Sequence, residues 1–401
     1  MDVRRMVFDF DRPVDRRGTL SYKWDQSEKL FGSSDVLPLW VADMDFPSPP
    51  AVVEAIRRRA EEGIYGYTFR DEAYTEAVLD WFRRRHGWDI PKDWLVDTPG
   101  VVTALSLAVE LFTDPGDRVI LQSPVYYPFY DVIRMNGREA AKNPLVIRNG
   151  RYETDWDQLE ELMRDGARMM LLCSPHNPGG RVWSREELVR LGELAERYGV
   201  FVASDEIHCD LVFPGHRHVP FASLSEAFAR NSITCLAPTK TFNLPGIPAS
   251  FAVIPDPERR RRFVTRMKAL SLHMASFFAP TAVKAAYGHG AEWLDALLDY
   301  VRGNVEYALS FFAGRLPELK PMRPEGTYLL WVDCRALGLD ARGIKDLMFR
   351  GAKVAFNEGS VFGSEGEGFV RINLACPRAT LKEALERFAR AAEALAGRRT
   401  G

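Results

Sequence analysis

An α/β fold, with helices on both faces of a mostly parallel sheet, is what this 401-residue sequence predicts. Three observations predict it. Short apolar runs alternate with amphipathic helical stretches, polar motifs fall where those runs end, and the C-terminal part of the chain changes texture. Taken in order, Arg118-Val119-Ile120-Leu121 is a strand opened by the turn residues Pro115-Gly116-Asp117. Arg168-Met169-Met170-Leu171-Leu172-Cys173 is a second strand. Ser184 starts a helix with a capping box, its partner Glu187 three residues on, and Gly199 is placed to stop it. Val200-Phe201-Val202-Ala203, Ile233-Thr234-Cys235-Leu236 and Ser250-Phe251-Ala252-Val253-Ile254 are three further strands. Runs so short and so continuously apolar belong to strands covered on both faces. In such sheets ligands bind beyond the carboxyl ends of the strands.

The C-terminal part combines long helical patterns with short strands. The helices span Trp293 to Leu316 and Thr380 to Ala396, the latter with a Thr380/Glu383 capping box. The strands lie around Tyr328–Val332 and Phe369–Ile372. This texture predicts a smaller α+β domain over residues 289–401, joined by residues 1–50, with a large ligand-binding domain over residues 51–288. The boundary is expected near Gly288-His289-Gly290.

Composition narrows the class. A chain of 401 residues is long for one core and favours two domains. Lys and Arg total 53 against 55 Asp and Glu, a net charge of −2, which argues against a nucleic acid or membrane held by bulk charge. The cluster Arg259-Arg260-Arg261-Arg262 sits in a helical pattern with Phe263 and Met267, so it is a solvated helix face. The five cysteines are scattered without metal-ligand spacing and are expected as reduced core thiols. No apolar run follows the N-terminal Met1-Asp2-Val3-Arg4-Arg5 or approaches membrane-spanning length, and a cytoplasmic protein is expected.

The polar motifs carry the chemistry. Ala237-Pro238-Thr239-Lys240-Thr241-Phe242-Asn243 follows the strand ending at Leu236. A lysine at a buried strand end is partly desolvated, which lowers its pKa, and a neutral amine forms a Schiff base with a carbonyl compound. Thr98-Pro99-Gly100-Val101-Val102-Thr103 leads into a helix whose first free N–H groups, those of Val101 and Val102, form a ready phosphate site. Ser123-Pro124-Val125-Tyr126-Tyr127-Pro128 offers an aromatic ring for stacking on a planar heterocycle, or for packing alone. In Ser174-Pro175-His176-Asn177-Pro178-Gly179-Gly180, the amide of Asn177 is free to donate to a phenolic oxygen. In Ser204-Asp205-Glu206-Ile207-His208, a carboxylate at a buried strand end needs a cationic partner, which a protonated pyridine nitrogen supplies. His208 is either a residue of the site or a core histidine. The five features together match pyridoxal 5′-phosphate chemistry.

With these residues the chain resembles the fold-type I pyridoxal phosphate enzymes of the aminotransferase superfamily, from about Leu37 to the C-terminal helix. Ser-Pro-His-Asn-Pro-Gly-Gly at 174–180, Ser-Asp-Glu-Ile-His at 204–208, Thr-Lys-Thr-Phe-Asn at 239–243 and Arg-Ile-Asn-Leu at 371–374 carry the resemblance. It implies a mostly parallel seven-stranded sheet in the large domain and a homodimer with shared active sites. Lys240 is then the Schiff-base lysine, Asp205 the pyridinium partner, Asn177 the ligand of the phenolic oxygen and Tyr126 the stacking ring. Arg371 binds the substrate α-carboxylate bidentately. Tyr67, in Tyr65-Gly66-Tyr67-Thr68, matches the tyrosine that reaches the phosphate in the neighbouring subunit.

Val41-Ala42-Asp43-Met44-Asp45-Phe46, Tyr126-Tyr127-Pro128-Phe129 and Lys240-Thr241-Phe242-Asn243 are similar to the MalY/PatB branch of cystathionine and cysteine-S-conjugate β-lyases, including cystalysin. Many superfamily members carry a phosphate-binding arginine after the glycine of the lysine loop. Here Gly246 is followed by Ile247 and Pro248, and Ala237 replaces a common serine. Phosphate binding is therefore expected to rest on the Val101 and Val102 amides, Thr239 and Tyr67. The branch shares this lack. The activity it implies is elimination of a thiol from a sulfur amino acid, giving pyruvate and ammonia, with Lys240 as the base at Cα. Tyr127 and Ala42 are expected near the substrate. An aminotransferase with the same cofactor is the alternative, and a lyase that also acts as a regulatory binding protein is a third reading. The first fifty residues are too short to be expected to hold a DNA-binding module.

Overall fold

The structure, a computed structural model, describes residues 8–400. Seven strands form the main sheet: β1 (Leu95–Thr98), β2 (Arg118–Leu121), β3 (Glu139–Lys142), β4 (Met169–Cys173), β5 (Phe201–Asp205), β6 (Ser232–Leu236) and β7 (Ser250–Val253). Their spatial order is β1-β7-β6-β5-β4-β2-β3. β7 runs antiparallel to both neighbours, and the other contacts are parallel. The two edge strands β1 and β3 escape the sequence pattern because they are not continuously apolar. In β3 only Ala141 is buried.

Alternation along each strand sends successive side chains to opposite faces. Val119, Leu121, Met169, Leu171, Phe201 and Ala203 meet the helices Val101–Phe112 and Pro257–Ala269 in one core layer. Ile120, Met170, Leu172 and Val202 meet the helices Trp156–Arg164 and Arg185–Tyr198 in the other. Each large apolar side chain so buried contributes about 1.5–3 kcal/mol. Ser184 caps the helix Arg185–Tyr198 with the full reciprocal box to Glu187, and Gly199 ends it at φ 68° in the left-handed region. Phe263 and Met267 are the buried residues of the arginine-rich helix Pro257–Ala269.

A second, antiparallel sheet holds β8 (Lys320–Met322), β9 (Leu329–Asp333), β10 (Asn357–Glu358) and β11 (Phe369–Asn373), in the order β8-β9-β11-β10. The helix Ala291–Arg315 and the C-terminal helix Arg378–Thr400 cover it. The N-terminal segment is tied to this part of the molecule. Its two-residue strand Leu37–Pro38 pairs in parallel with Val354–Ala355, and the Leu39 carbonyl accepts from the Asn373 N–H at 2.9 Å.

The Thr380/Glu383 capping box does not form. The last helix begins two residues earlier, at Arg378, so Thr380 lies within its first turn. There the Tyr300 hydroxyl accepts from the Arg378 N–H at 2.7 Å, and this tertiary contact satisfies a first-turn donor that a side-chain cap otherwise serves.

Candidate active site

The carboxyl ends of the parallel strands converge on a cavity of about 270 Å³. β1 delivers Gly100, Val101, Val102 and Thr103 to its wall, and the loop after β2 delivers Tyr126. Cys173 and Asn177 come from β4, Asp205, Ile207 and His208 from β5, and Ala237, Thr239 and Lys240 from β6. Because β7 is antiparallel, the chain that precedes it also lies at this edge, and Ile247, Pro248 and Ala249 close the wall. Ala42 enters from the N-terminal segment.

Lys240 lies in a short helical turn, Pro238–Thr241, directly after β6. Its Nζ donates to the Ala42 carbonyl at 2.6 Å. Burial pushes its pKa down to about 8, against an opposing pull from Asp43. Asp205 is buried at the end of β5, where burial pushes its pKa up to about 7. Its Oδ1 accepts from the Ile207 N–H at 3.1 Å. A carboxylate there without a hydrogen-bonded cation is an incomplete pair, of the kind a protonated ring nitrogen completes.

Asn177 follows β4 by four residues, and its Oδ1 accepts from Arg371 Nη1 at 2.9 Å. Arg371 comes from β11 in the other sheet, with Nη2 donating to the Trp40 carbonyl (2.9 Å) and to Asn357 Oδ1 (2.7 Å). Its buried Nε has no hydrogen-bond partner among the described residues, and burial pushes the guanidinium pKa down to about 10. Such a buried, partly satisfied cation is a site for a carboxylate.

The helix Val101–Phe112 opens with no side-chain cap, so its first N–H groups face the cavity unserved. The hydroxyl-bearing residues Thr103 and Thr239 line the same end. Together the uncapped helix, Asp205, Asn177 and Lys240 fit a phosphorylated pyridine aldehyde: an anion site, a nitrogen partner, an amide and an amine.

His208 lines the cavity but is buried, with no partner for Nδ1 among the described residues, and burial pushes its pKa down to about 3, favouring the neutral ring. Its ring meets Tyr328 edge-on, with centroids 6.1 Å apart. Tyr127 does not line the cavity. It is 44% exposed beside Tyr126, with ring centroids 5.1 Å apart. Tyr67 is 98% exposed and does not line the cavity of its own chain.

The sequence reading missed Tyr328, whose hydroxyl donates to the Ala42 carbonyl at 2.8 Å, and it gave no role to Trp40, Asn357 or Thr103. Thr103 closes the phosphate motif Thr98–Thr103, so local sequence marks it. The other three reach the site through long-range packing, for which the sequence carries no local signal.

Comparison with known proteins matches this geometry. The Aminotransferase class I and II family profile spans residues 34–388. Cystathionine beta-lyase PatB of Bacillus subtilis (strain 168) is 46% identical over 380 residues, covering 94% of this chain and 98% of PatB. Protein MalY of Escherichia coli (strain K12) is 35% identical over 381 residues, covering 94% of this chain and 97% of MalY. The crystal structure of cystalysin from Treponema denticola, which contains a pyridoxal 5′-phosphate cofactor, superposes with a TM-score of 0.93 at 38% identity. That superposition covers 97% of this chain and 100% of cystalysin. With these relatives aligned along nearly their whole length, the chain belongs to the class I and II aminotransferase family, in the branch that holds PatB and MalY.

Proposed function

We propose that the protein is a pyridoxal 5′-phosphate-dependent carbon–sulfur β-lyase. It converts L-cystathionine or related cysteine S-conjugates to pyruvate, ammonia and a thiol. One observation carries the reading: Lys240, Asp205, Asn177 and the uncapped helix at Val101 line one cavity, with Arg371 hydrogen-bonded to Asn177 at its edge. Near-full-length similarity to cystathionine beta-lyase PatB supports the choice of sulfur chemistry.

Pyridoxal phosphate, when bound, supplies an electron sink for the charge left on the substrate Cα. The chain's own residues do the rest. The N–H groups of Val101 and Val102, with Thr239, would hold the phosphate, and Tyr126 would offer a ring for stacking. Asp205 would serve the ring nitrogen and keep it protonated, and Asn177 would donate to the phenolic oxygen. Arg371 takes the α-carboxylate and so fixes which Cα bond faces Lys240. Lys240, with its pKa lowered by burial, removes the Cα proton as a neutral amine. Loss of the β-thiolate then leaves aminoacrylate, which water converts to pyruvate and ammonia.

The reading includes a cytoplasmic homodimer in which Tyr67 reaches the neighbouring subunit's phosphate. The apolar residues exposed around it, Ile64, Tyr65 and Phe69, support such an interface. Among the described residues no helix is long and apolar enough to cross a membrane.

The test uses cofactor-loaded protein and L-cystathionine without any oxo acid. Pyruvate and free thiol in equal amounts over many turnovers are expected. Turnover that starts only when 2-oxoglutarate is added would assign the protein to transamination instead.

A further inference from the structure

A second chamber, of about 620 Å³, meets the first at Lys240 and Ala42. The N-terminal segment walls it, through Val14, Arg16, Leu20 and Tyr22, and Asp43 lies on its floor. Under that floor is a compact set of charges. Lys23 has no exposed side-chain surface and binds Asp45 at 2.7 Å, while Arg16 binds Asp43 and Asp45 at 2.8 Å each. Lys23 Nζ stays 3.6 Å from the Asp43 carboxylate. The cluster is therefore neutral in sum, and of the three members that line the chamber Asp43 and Arg16 are the more exposed, at 13% and 23% of their side chains against 4% for Asp45. Arg16 uses Nη1 and Nη2 on the carboxylates and on the Met44 carbonyl. Its Nε makes no hydrogen bond among the described residues.

We propose that this chamber is the subsite for the leaving group, and that Arg16 and Asp43 select leaving thiols that carry an amino-acid zwitterion of their own. The proposal rests on the β-lyase reading. Asp43 follows Ala42, whose carbonyl holds Lys240 Nζ, so a thiol departing from a substrate beside Lys240 enters this chamber. An ammonium at its far end meets the Asp43 carboxylate, and a carboxylate meets the spare N–H of Arg16. Because the two protein charges neutralise one another, a ligand of only one sign gains one contact and faces one repulsion. A zwitterion gains both.

The experiment compares kcat/KM for L-cystathionine, S-(3-aminopropyl)-L-cysteine and S-ethyl-L-cysteine, following pyruvate. The aminopropyl compound keeps the distal ammonium and lacks the distal carboxylate. On the unmodified holoenzyme it is expected to react at least about tenfold less efficiently than L-cystathionine. In Arg16→Gln and Asp43→Asn, the ratio of L-cystathionine to S-ethyl-L-cysteine efficiency is expected to fall by about tenfold or more. Calorimetric affinities of the same ligands for Lys240→Ala protein, loaded with cofactor, are expected in the same order. Equal efficiency for the three compounds on the unmodified enzyme, or an unchanged ratio in either variant, overturns the subsite while leaving the lyase intact. Elimination from none of them by the unmodified enzyme overturns the lyase reading and the subsite with it.

Discussion

The cofactor side of the cleft and its substrate side are held in place by different means. On the first side, Asp205 stands in register with Cys173 on one neighbour and Cys235 on the other. Asn177 and Lys240 follow those partners by four and five residues, so strand hydrogen bonds fix all three. On the second side no strand carries Ala42. Two asparagines tether its loop: Asn373 Nδ2 donates to the Val41 and Asp43 carbonyls at 2.7 and 2.6 Å. Asn243 Nδ2 donates to the Met44 and Phe46 carbonyls at 3.0 and 2.8 Å, and its Oδ1 accepts from the Met44 N–H at 2.9 Å. Register is distributed over many backbone bonds, whereas a tether is lost with one side chain. The position of the Ala42 loop therefore depends on single polar side chains.

The largest effect belongs to the strand-edge side. Lys240→Ala is expected to lower pyruvate release from L-cystathionine by at least about 10³-fold, since it removes the base. Turnover near the unmodified rate would move the chemistry away from that edge. Arg371→Leu is expected to lower kcat/KM by about 10²-fold, mainly through KM, with partial recovery in Arg371→Lys. A pure kcat effect would mean that Arg371 positions Asn177 and leaves the carboxylate to another group. Asn373→Leu removes both tethering hydrogen bonds, leaving the Asp43 carbonyl with only its 3.4 Å contact to Lys23, and is expected to cost about 2 kcal/mol in urea unfolding, with activity falling further than fold content. Equal losses of both would erase the contrast between the halves.

The smallest effect separates cofactor-free from loaded protein. Burial raises the Asp205 pKa from 3.8 to about 7, so in cofactor-free protein its neutral form is favoured. That contribution to stability is present below pH 4 and is lost as pH rises through 7. Cofactor-free Asp205→Asn is therefore expected to exceed the unmodified protein in stability at pH 8, by on the order of 1 kcal/mol, with the advantage vanishing toward pH 4. Thermal melts at the two pH values, with and without pyridoxal phosphate, check this. The loaded protein is expected to show the reverse order at pH 8, because the carboxylate then has its partner.

Much of this molecule is local and was legible as such. Continuous apolar runs marked β2, β4, β5, β6 and β7, because strands covered on both faces need apolar residues at every position. The capping pair Ser184 and Glu187, with Gly199, marked one helix completely, because both ends are satisfied within the segment. The same pattern at Thr380 and Glu383 misled, because a tyrosine seventy-eight residues away serves the helix start instead. The motifs around Lys240, Asp205 and Asn177 were readable because each lies a few residues beyond a strand, where chain distance and spatial distance nearly agree.

Tertiary structure alone decided the rest. It brought Arg371 onto Asn177 from 194 residues away, set Tyr328 and Lys240 on one Ala42 carbonyl, and turned β7 against its neighbours so that its preceding loop closes the cavity. It also placed Arg16 and Lys23 on Asp43 and Asp45, beside the lysine. Burial, and with it the altered acidity of Lys240, Asp205 and Arg371, exists only once distant segments exclude water together. The sequence by itself determined which groups the site has, because short-range pattern encodes strand ends and their loops. Their mutual distances and protonation depend on packing between segments far apart in the chain, and no local pattern encodes that.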